Sequence, residues 1–461
     1  MTELADLTAN ELVAGYRAQT FSPVEVTEAV LARIDAREPE LRALYAYDAA
    51  SAREAAKASE ARWHAGEPSG PIDGVPLTLK ENIASVGVPT PLGTAATPLT
   101  PATADAPAAA RVRESGAVLL AKTTMPDYGM LTSGLSSFHA ASRNPWDLTR
   151  TPGGSSAGAA SAAAAGYGPL HVGTDIGGSI RLPAGWCGLV GLKPSFGRVP
   201  VDPPFLGRVA GPLTRTVADT ALLMSVLAQP DSRDHLSLPP ASIDWLSLTG
   251  SLSGLRVGLH LDPGVGLPVT PAVADAVTAA AELFSNAGAV VEPVAPFLTR
   301  EHLNGLDTFW RVRAWSDMAA LSEEQRAQVL PYIAEWAAGG ADASGVDTYR
   351  GFAAIDAISV AALRATEPYD VVLSPTCPVL PPPADWPSPT NDPTRPFEHI
   401  AFTVPYNMSG QPAVSVNCGY TPEGLPIGLQ IAGRRFADLD VLRVAAEFEK
   451  LRGEQRPWPV N

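Results

Sequence analysis

The sequence predicts a folded protein of the α/β class on three observations. Of its 461 residues, 46% are apolar and only 18% are charged, a balance typical of globular proteins with a large core. Short apolar runs, which indicate buried strands, recur along the chain. Between them lie segments with apolar residues at helical spacing, and this alternation indicates helices layered on a sheet.

The N-terminal part is predicted to be helical. Ser22, Pro23 and Glu25 occupy the positions of a capping box at the start of a helix, and apolar residues follow at helical spacing. An Ala/Glu/Arg-rich stretch over 44–65 continues this pattern until a Pro/Gly-rich segment stops it. We therefore predict a helical arm over residues 1–65.

The main body is predicted to begin with strands at 75–79 and 116–121, separated by a helical segment. Residues 153–185 are unusually rich in Gly, Ala and Ser but carry no repeat. We interpret them as a tightly turned functional segment within a catalytic core over 66–240.

The second half of the chain repeats the alternation of strand and helix. The predicted elements are a strand at 255–261, a helix from Thr270-Pro271, a strand at 289–294, mostly helical structure over 300–365, strands at 413–416 and 425–431, and a helix from Leu439. A Pro-rich stretch over 375–396 is predicted to be irregular. We assign 241–365 to a variable segment that forms pocket walls and 366–461 to a return to the core sheet, all in one compact domain.

Charge and composition argue against several classes of protein. The formal net charge is −15, and no Lys/Arg run is present that could follow a nucleic-acid backbone. The acidic N-terminus and the lack of an apolar run of about 18 residues argue against a signal peptide and a membrane span, so we expect a cytoplasmic protein. The three cysteines lie far apart without the spacing of a zinc site, and we expect reduced core residues: Cys187, Cys377 and Cys418.

Common hydrolase and nucleotide motifs are absent from the sequence. It contains no G-x-S-x-G elbow, no H-E-x-x-H and no phosphate-binding GxxxxGK[ST] loop. None of the seven histidines lies in a motif that would make it a general base. What remains is a set of serine and lysine residues in Gly-rich surroundings.

Four segments of the sequence match the motifs of a known enzyme family: Gly74–Lys80, Pro152–Ser156, Gly173–Arg181 and Gly188–Pro194. In these segments the sequence resembles the amidase-signature hydrolases, strongly over 70–230 and moderately over 370–450. Ser155 precedes Ser179 by 24 residues and Lys80 precedes it by 99, which is the usual spacing in that family. The resemblance implies a mixed twisted central sheet flanked by helices on both faces.

The resemblance also implies a catalytic triad. Ser179 would be the nucleophile that forms an acyl-enzyme, Ser155 the bridging serine on a cis peptide bond after Gly154, and Lys80 the base. A serine hydroxyl needs a neighbouring base, and lysine can act as one only when neutral, so burial should lower its pKa. Lys122 and Lys193 are further candidates for the base, but only Lys80 matches the motif. No metal or organic cofactor is implied.

The Gly-Gly-Ser turn suggests an oxyanion hole, because glycines before a serine allow consecutive backbone N–H groups to converge on one point. We predict its donors to be the N–H groups of Ile176, Gly177, Gly178 and Ser179.

Neighbouring residues are predicted to support the turn and the substrate. Asp175 and Arg181 are interpreted as a structural pair that braces the turn. Residues 127–133 match the family segment that lines the acyl side of the pocket, and Gly129 is predicted to make a backbone contact with substrate. An apolar or aromatic pocket wall is a further hypothesis, based on three tryptophans: Trp310, Trp315 and Trp336.

Two departures from the family pattern are visible. Ala157 and Ala159 replace a glycine and a serine after the double serine, and Gln411 stands where an apolar residue is frequent. The first change should leave catalytic groups intact, and the second should affect substrate preference.

The predicted function is hydrolysis of an amide-type carbon–nitrogen bond in an amide, aryl amide or carbamate (urethane). The alternative is a glutamine-hydrolysing subunit of an amidotransferase complex, which would need a partner. A non-catalytic binding protein is a third possibility, disfavoured by the complete Lys/Ser/Ser set. We expect a small-molecule substrate, no nucleic-acid or membrane partner, and a monomer or homodimer.

Overall fold

An 11-stranded sheet runs through the computed structural model, which describes residues 3–460. Its strands are β1 (Leu44–Tyr45), β2 (Pro76–Lys80), β3 (Val118–Thr123), β4 (Leu170–Asp175), β5 (Val190–Lys193), β6 (Val209–Thr214), β7 (Arg256–Leu259), β8 (Val290–Pro293), β9 (Val371–Pro375), β10 (Ala413–Tyr420) and β11 (Pro426–Gly433). They lie in the order β1-β3-β2-β4-β6-β5-β10-β11-β9-β7-β8. Each of the four segments predicted from the sequence contributes at least one strand, and the division into those segments stays a prediction.

Helices connect and flank the strands. They are α1 (Ala9–Ala18), α2 (Pro23–Leu41), α3 (Ala49–Ala65), α4 (Pro107–Glu114), α5 (Ala157–Ala165), α6 (Arg181–Cys187), α7 (Val217–Leu227), α8 (Pro271–Asn286), α9 (Arg300–Ala319), α10 (Glu323–Arg326), α11 (Pro331–Ala338), α12 (Gly345–Thr366), α13 (Val404–Met408) and α14 (Asp438–Leu451). None of the helices within residues 3–460 combines the length and the apolar character needed to cross a lipid bilayer.

The sheet is mixed, which confirms the predicted fold class. Strand β2 runs parallel to β3 and β4, and β7 runs parallel to β8 and β9. The other neighbouring strands are antiparallel, including the long pair β10 and β11. Parallel neighbours need a crossover between them, which is why helices such as α4 alternate with these strands.

Local sequence signals explain where several elements begin. The predicted capping box at the start of α2 is confirmed, because Ser22 Oγ accepts from the Glu25 N–H and the Glu25 carboxylate accepts from the Ser22 N–H. The helix predicted over 44–65 instead begins at Ala49, since the Asp48 side chain caps it. The two residues Leu44–Tyr45 pair with β3 as an edge strand.

The Gly/Ala/Ser-rich segment is more regular than predicted. Residues 153–185 contain α5, β4 and the start of α6 in addition to tight turns. All nine residues of α5 are buried, and a Cβ on Gly158 would overlap the Ala43 carbonyl oxygen. Small side chains are needed here because α5 packs closely against the strands beside it. Alanine at 157 and 159 therefore serves a buried helix, for which it has a high intrinsic preference.

Candidate active site

The candidate site lies where two parallel strands end. Lys80 is the last residue of β2, and a turn over residues 176–180 follows β4. Because β2 and β4 are parallel neighbours, their carboxyl ends lie at the same edge of the sheet, where ligands commonly bind in α/β proteins. Ser155 lies just before α5, which packs against both strands.

Lys80 and Ser155 are in direct contact. Lys80 Nζ lies 2.7 Å from Ser155 Oγ, and both side chains are buried. The Gly154–Ser155 peptide bond is cis, as the resemblance implies. Burial lowers the pKa of Lys80 to about 7, although the nearby carboxylates of Asp175 and Glu81 act in the opposite direction. A neutral lysine is therefore available next to a serine hydroxyl near neutral pH.

Ser179 is partly exposed on the turn after β4. Its carbonyl oxygen accepts a hydrogen bond from the Ser156 N–H at 3.2 Å. Ser156 Oγ in turn donates to the Thr174 carbonyl oxygen at 3.2 Å. These bonds attach the segment that carries Ser155 to the turn that carries Ser179. Among residues 3–460 the Ser179 hydroxyl has no hydrogen-bond partner, so the contact between the two serines stays a prediction.

Asp175 and Arg181 form a buried pair, as expected for a brace of the turn. Both side chains are fully buried, and Arg181 Nη2 lies 2.9 Å from Asp175 Oδ1. Burial by itself would raise the pKa of Asp175, but the Arg181 guanidinium and hydrogen bonds outweigh it and hold the pKa well below its usual range. Asn407 Nδ2 donates to the same carboxylate at 2.8 Å. The pair is thus anchored to α13, a contact that no local sequence pattern indicates.

One predicted oxyanion donor is already occupied. The Gly178 N–H donates to Asp175 Oδ1 at 2.8 Å, so its place among the four predicted donors would require this bond to be shared or released. Its role is conformational, since its φ is +128° and a Cβ there would lie 2.7 Å from both Leu182 Cδ1 and Thr403 Oγ1. The N–H groups of the other three predicted donors make no hydrogen bond within the part of the chain that the structure describes: Ile176, Gly177 and Ser179. The oxyanion hole over residues 176–179 stays a prediction.

Gly129 lies beside the bridging serine. It ends a short 3₁₀ helix at Asp127–Gly129, and a Cβ on Gly129 would lie 3.3 Å from Ser155 Oγ. Its φ of +69° also favours glycine. Since its N–H donates to the Pro126 carbonyl oxygen at 2.9 Å, only its own carbonyl is available for the predicted substrate contact.

The competing lysines have other partners. Lys122 Nζ donates to the carbonyl oxygens of Glu81 and Ile83, and Lys193 Nζ donates to the Pro194 carbonyl oxygen at 2.8 Å. Burial lowers the pKa of Lys122 to about 8 and that of Lys193 to about 7. A lowered pKa therefore does not distinguish the three lysines. The hydrogen bond to a serine does, and among them only Lys80 makes one.

The three tryptophans have different surroundings. A Cβ on Gly177 would lie 3.4 Å from the Trp310 ring, so Trp310 packs against the turn. Trp336 is only 1% exposed and its Nε1 donates to Asp307, as expected of a core residue. Trp315 is partly buried and lies 5.9 Å from the Arg326 guanidinium. Of the three tryptophans, Trp310 is therefore the one with an observed contact with the turn, and like Trp336 it is buried.

Residues from distant parts of the chain pack in one cluster with a residue of the turn. Ile176 belongs to the same packed cluster as Trp310, together with the partly buried Tyr128 and Leu206. Thr403 Oγ1 donates to the Gly177 carbonyl oxygen at 2.6 Å. No sequence signal nominated Leu206 or Thr403, because neither lies in a segment with recognisable spacing to the serines.

Comparison with known proteins agrees with this geometry. A sequence profile of the amidase family matches residues 25–442. The chain is 35% identical to an acylamidase of Rhodococcus erythropolis over 465 residues, covering 98% of this chain and 96% of that protein. It is 34% identical to a glutamyl-tRNA(Gln) amidotransferase subunit of Chloroflexus aurantiacus over 487 residues, covering 98% of each. The solved structure of a bacterial aryl acylamidase of the amidase-signature family superposes with a TM-score of 0.89 at 32% identity, covering 96% of each chain. The chain belongs to the amidase-signature family of amide hydrolases.

Proposed function

We propose that this protein hydrolyses an amide through an acyl-enzyme formed on Ser179. The observation that carries the proposal is the 2.7 Å contact between buried Lys80 and Ser155, next to the turn that presents Ser179. A buried lysine with a lowered pKa beside a serine fits a base better than an ion-pair partner.

The proton would travel through the bridging serine. Ser179 Oγ attacks the carbonyl carbon while its proton passes to Ser155 Oγ, and the Ser155 proton passes to neutral Lys80. The three unoccupied N–H groups at 176, 177 and 179 stabilise the negative charge on the carbonyl oxygen. The proton then returns through Ser155 to the leaving amine. Water hydrolyses the resulting ester of Ser179 by the same route.

The surroundings of the turn favour a substrate with an apolar group beside the scissile bond. The partly buried Ile176 supplies apolar surface on the turn itself, and the buried Trp310 packs beneath it against Gly177. Similarity to an acylamidase and to an aryl acylamidase supports anilides as the first substrates to test. An aryl carbamate has the same planar carbonyl next to nitrogen and is the second class to test.

Glutamine hydrolysis for a partner enzyme is the second candidate function. The 34% identity to an amidotransferase subunit over 98% of both chains favours it. The chain purified alone should be assayed against glutamine, an anilide and an aryl carbamate. Strong anilide turnover without a partner would exclude the amidotransferase function.

The nucleophile can be identified with a fluorophosphonate probe and intact mass spectrometry. The native chain should gain one adduct, and Ser179→Ala should stay folded and gain none. Labelling of Ser179→Ala on Ser155 or Ser156 would overturn the assignment.

A further inference from the structure

Two arginines lie close to the turn that carries Ser179. Arg208 directly precedes β6, and because Val209 pairs with Asp175, Arg208 lies beside Ile176. Arg313 lies on α9 three residues after Trp310, so the two share a helix face. Since Trp310 packs against Gly177, that face of α9 is directed to the turn.

The two guanidinium groups interact with neutral neighbours. Arg208 Nη2 donates to the Pro203 carbonyl oxygen, and Arg313 lies over the Phe205 ring at 4.2 Å from its centroid. Within residues 3–460 neither forms an ion pair with a carboxylate. Asp202, Asp234 and Asp317 act on them only at longer range.

Both arginines are half-buried, so their guanidinium groups are partly removed from water. Burial and the neighbouring Arg313 lower the pKa of Arg208 to about 10, and burial lowers the pKa of Arg313. A charge removed from water is costly unless an opposite charge compensates it. The arginines of this chain whose side chains have little contact with solvent include several with such a partner: Arg33 and Arg215 with Asp6, Arg181 with Asp175, Arg198 with Asp438 and Arg452 with Glu449.

The position of the pair connects it to the reaction site. Arg208 lines a narrow cleft with Asn82 and Thr174, which lie just after β2 and near the end of β4, and Asp202 lines the same cleft without forming an ion pair with Arg208. The Phe205–Leu206 segment lies between Pro203 and Arg208, and Leu206 packs in the same cluster as Trp310. Arg208 thus lies at the edge of the sheet that carries the Ser179 turn, and Arg313 lies on the helix face that packs against this turn.

We propose that Arg208 and Arg313 bind a carboxylate carried by the substrate. The favoured substrates are then amides in which an apolar portion separates the scissile bond from an anionic group. Two guanidiniums can supply charge-assisted hydrogen bonds to both carboxylate oxygens. This inference deepens the proposed function and rests on it.

Two matched pairs of substrates test which side of the amide carries the carboxylate. Glutaric acid mono-4-nitroanilide is compared with butyryl-4-nitroanilide for the acyl side. For the amine side, 4-acetamidobenzoate is compared with 4-acetamidoacetophenone. The native enzyme should have a kcat/KM about tenfold or more higher for the anionic member of one pair, the factor expected from a charged hydrogen bond. Added salt should reduce this preference.

Substitutions connect the preference to the two arginines. Arg313→Gln and Arg208→Gln should each remove most of the preference for the anionic substrate and change the neutral member less than about threefold. Arg313→Lys, which keeps the charge, should retain part of the preference. Arg350→Gln on exposed α12 is the matched control, because it removes one positive charge at a solvated position and should change nothing.

Binding separates this inference from the catalytic proposal. The same four compounds are titrated calorimetrically into Ser179→Ala, with and without Arg313→Gln. Tighter binding of an anionic compound that is lost with Arg313→Gln supports the anion site even if the native chain hydrolyses none of them, which would count against the proposed function. Equal binding of anionic and neutral compounds, or equal losses for both in the arginine variants, would overturn the inference.

Discussion

Lys80→Met should abolish turnover and at the same time stabilise the fold. In the native protein, burial holds the pKa of Lys80 at about 7, against 10.5 for a free lysine. Between pH 7 and pH 10.5, Lys80 is protonated in the unfolded chain and neutral in the folded chain. This difference costs about 5 kcal/mol of stability at pH 7 and below. Methionine has a similar shape and no charge, so it removes this cost.

The net gain is smaller than the full cost, because Ser155 loses its partner. An unsatisfied buried hydroxyl costs about 1 to 3 kcal/mol, which leaves a stabilisation of about 2 to 4 kcal/mol at pH 6 to 7. Above pH 7 the native protein becomes progressively more stable. As the pH rises, protonation of Lys80 in the unfolded chain releases less free energy, so the unfolded chain is favoured less. The advantage of Lys80→Met should therefore shrink towards pH 10. Thermal melts at pH 6, 7 and 10 measure this change.

The rate has the matching pH dependence. If the neutral lysine is the active form, its fraction rises from about 0.1 at pH 6 to about 0.9 at pH 8, so kcat/KM should rise about tenfold and then level off. Lys193→Met is the matched control, because Lys193 is equally buried with a pKa of about 7 but has no contact with a serine. That variant should keep the pH profile. Near-normal turnover of Lys80→Met at every pH would refute the assignment of the base, and a loss of stability at pH 6 would refute the burial argument.

Three further substitutions test the surroundings of the turn. Gly178→Ala should lower turnover by about 100-fold or more, because a Cβ at this positive φ displaces the turn, whereas Gly345→Ala, with open space around its Cβ, should behave as the native enzyme. Asn407→Ala should cost about 1 to 3 kcal/mol in a thermal melt and lower kcat more than it changes KM, because it removes hydrogen bonds to both members of the buried pair. Trp310→Ala and Trp336→Ala should each cost about 3 to 5 kcal/mol of stability, since both side chains are buried, but only Trp310→Ala should also change the ranking of anilide, aliphatic amide and carbamate.

Specific results would contradict these expectations. Native turnover in Gly178→Ala would mean that the turn tolerates a different backbone. An unchanged kcat in Asn407→Ala would limit that residue to stability. Equal scaling of all substrates in Trp310→Ala would move the origin of selectivity elsewhere, with residues 127–133 as the next segment to test.

Much of the fold follows from local patterns. The capping box at Ser22 and the apolar run before Lys80 each lead to the element they predict. Strands β4, β5, β6 and β9 were not predicted, since they are fully buried and lack the alternation that marks a half-buried strand. The sequence does not reveal helix α5, because a helix of small residues that is buried on all sides has no apolar stripe at helical spacing.

The sequence by itself determined which chemical groups are present and indicated a turn at Ser179. The order and spacing of Lys80, Ser155 and Ser179 were sufficient to identify the family, and the Gly-Gly-Ser segment was sufficient to indicate a turn. These features are local or motif-based, so they can be recognised without knowledge of what packs around them.

Only the tertiary structure decided which of these groups meet. Three buried lysines share a lowered pKa, yet only Lys80 lies 2.7 Å from a serine. Asn407 Nδ2 donates to Asp175 across 232 residues of chain, and Arg208 lies beside Ile176 because their strands pair. Hydrogen bonds and ion pairs depend on distance and direction, and these are set by strands and helices that can lie tens to hundreds of residues apart in the chain.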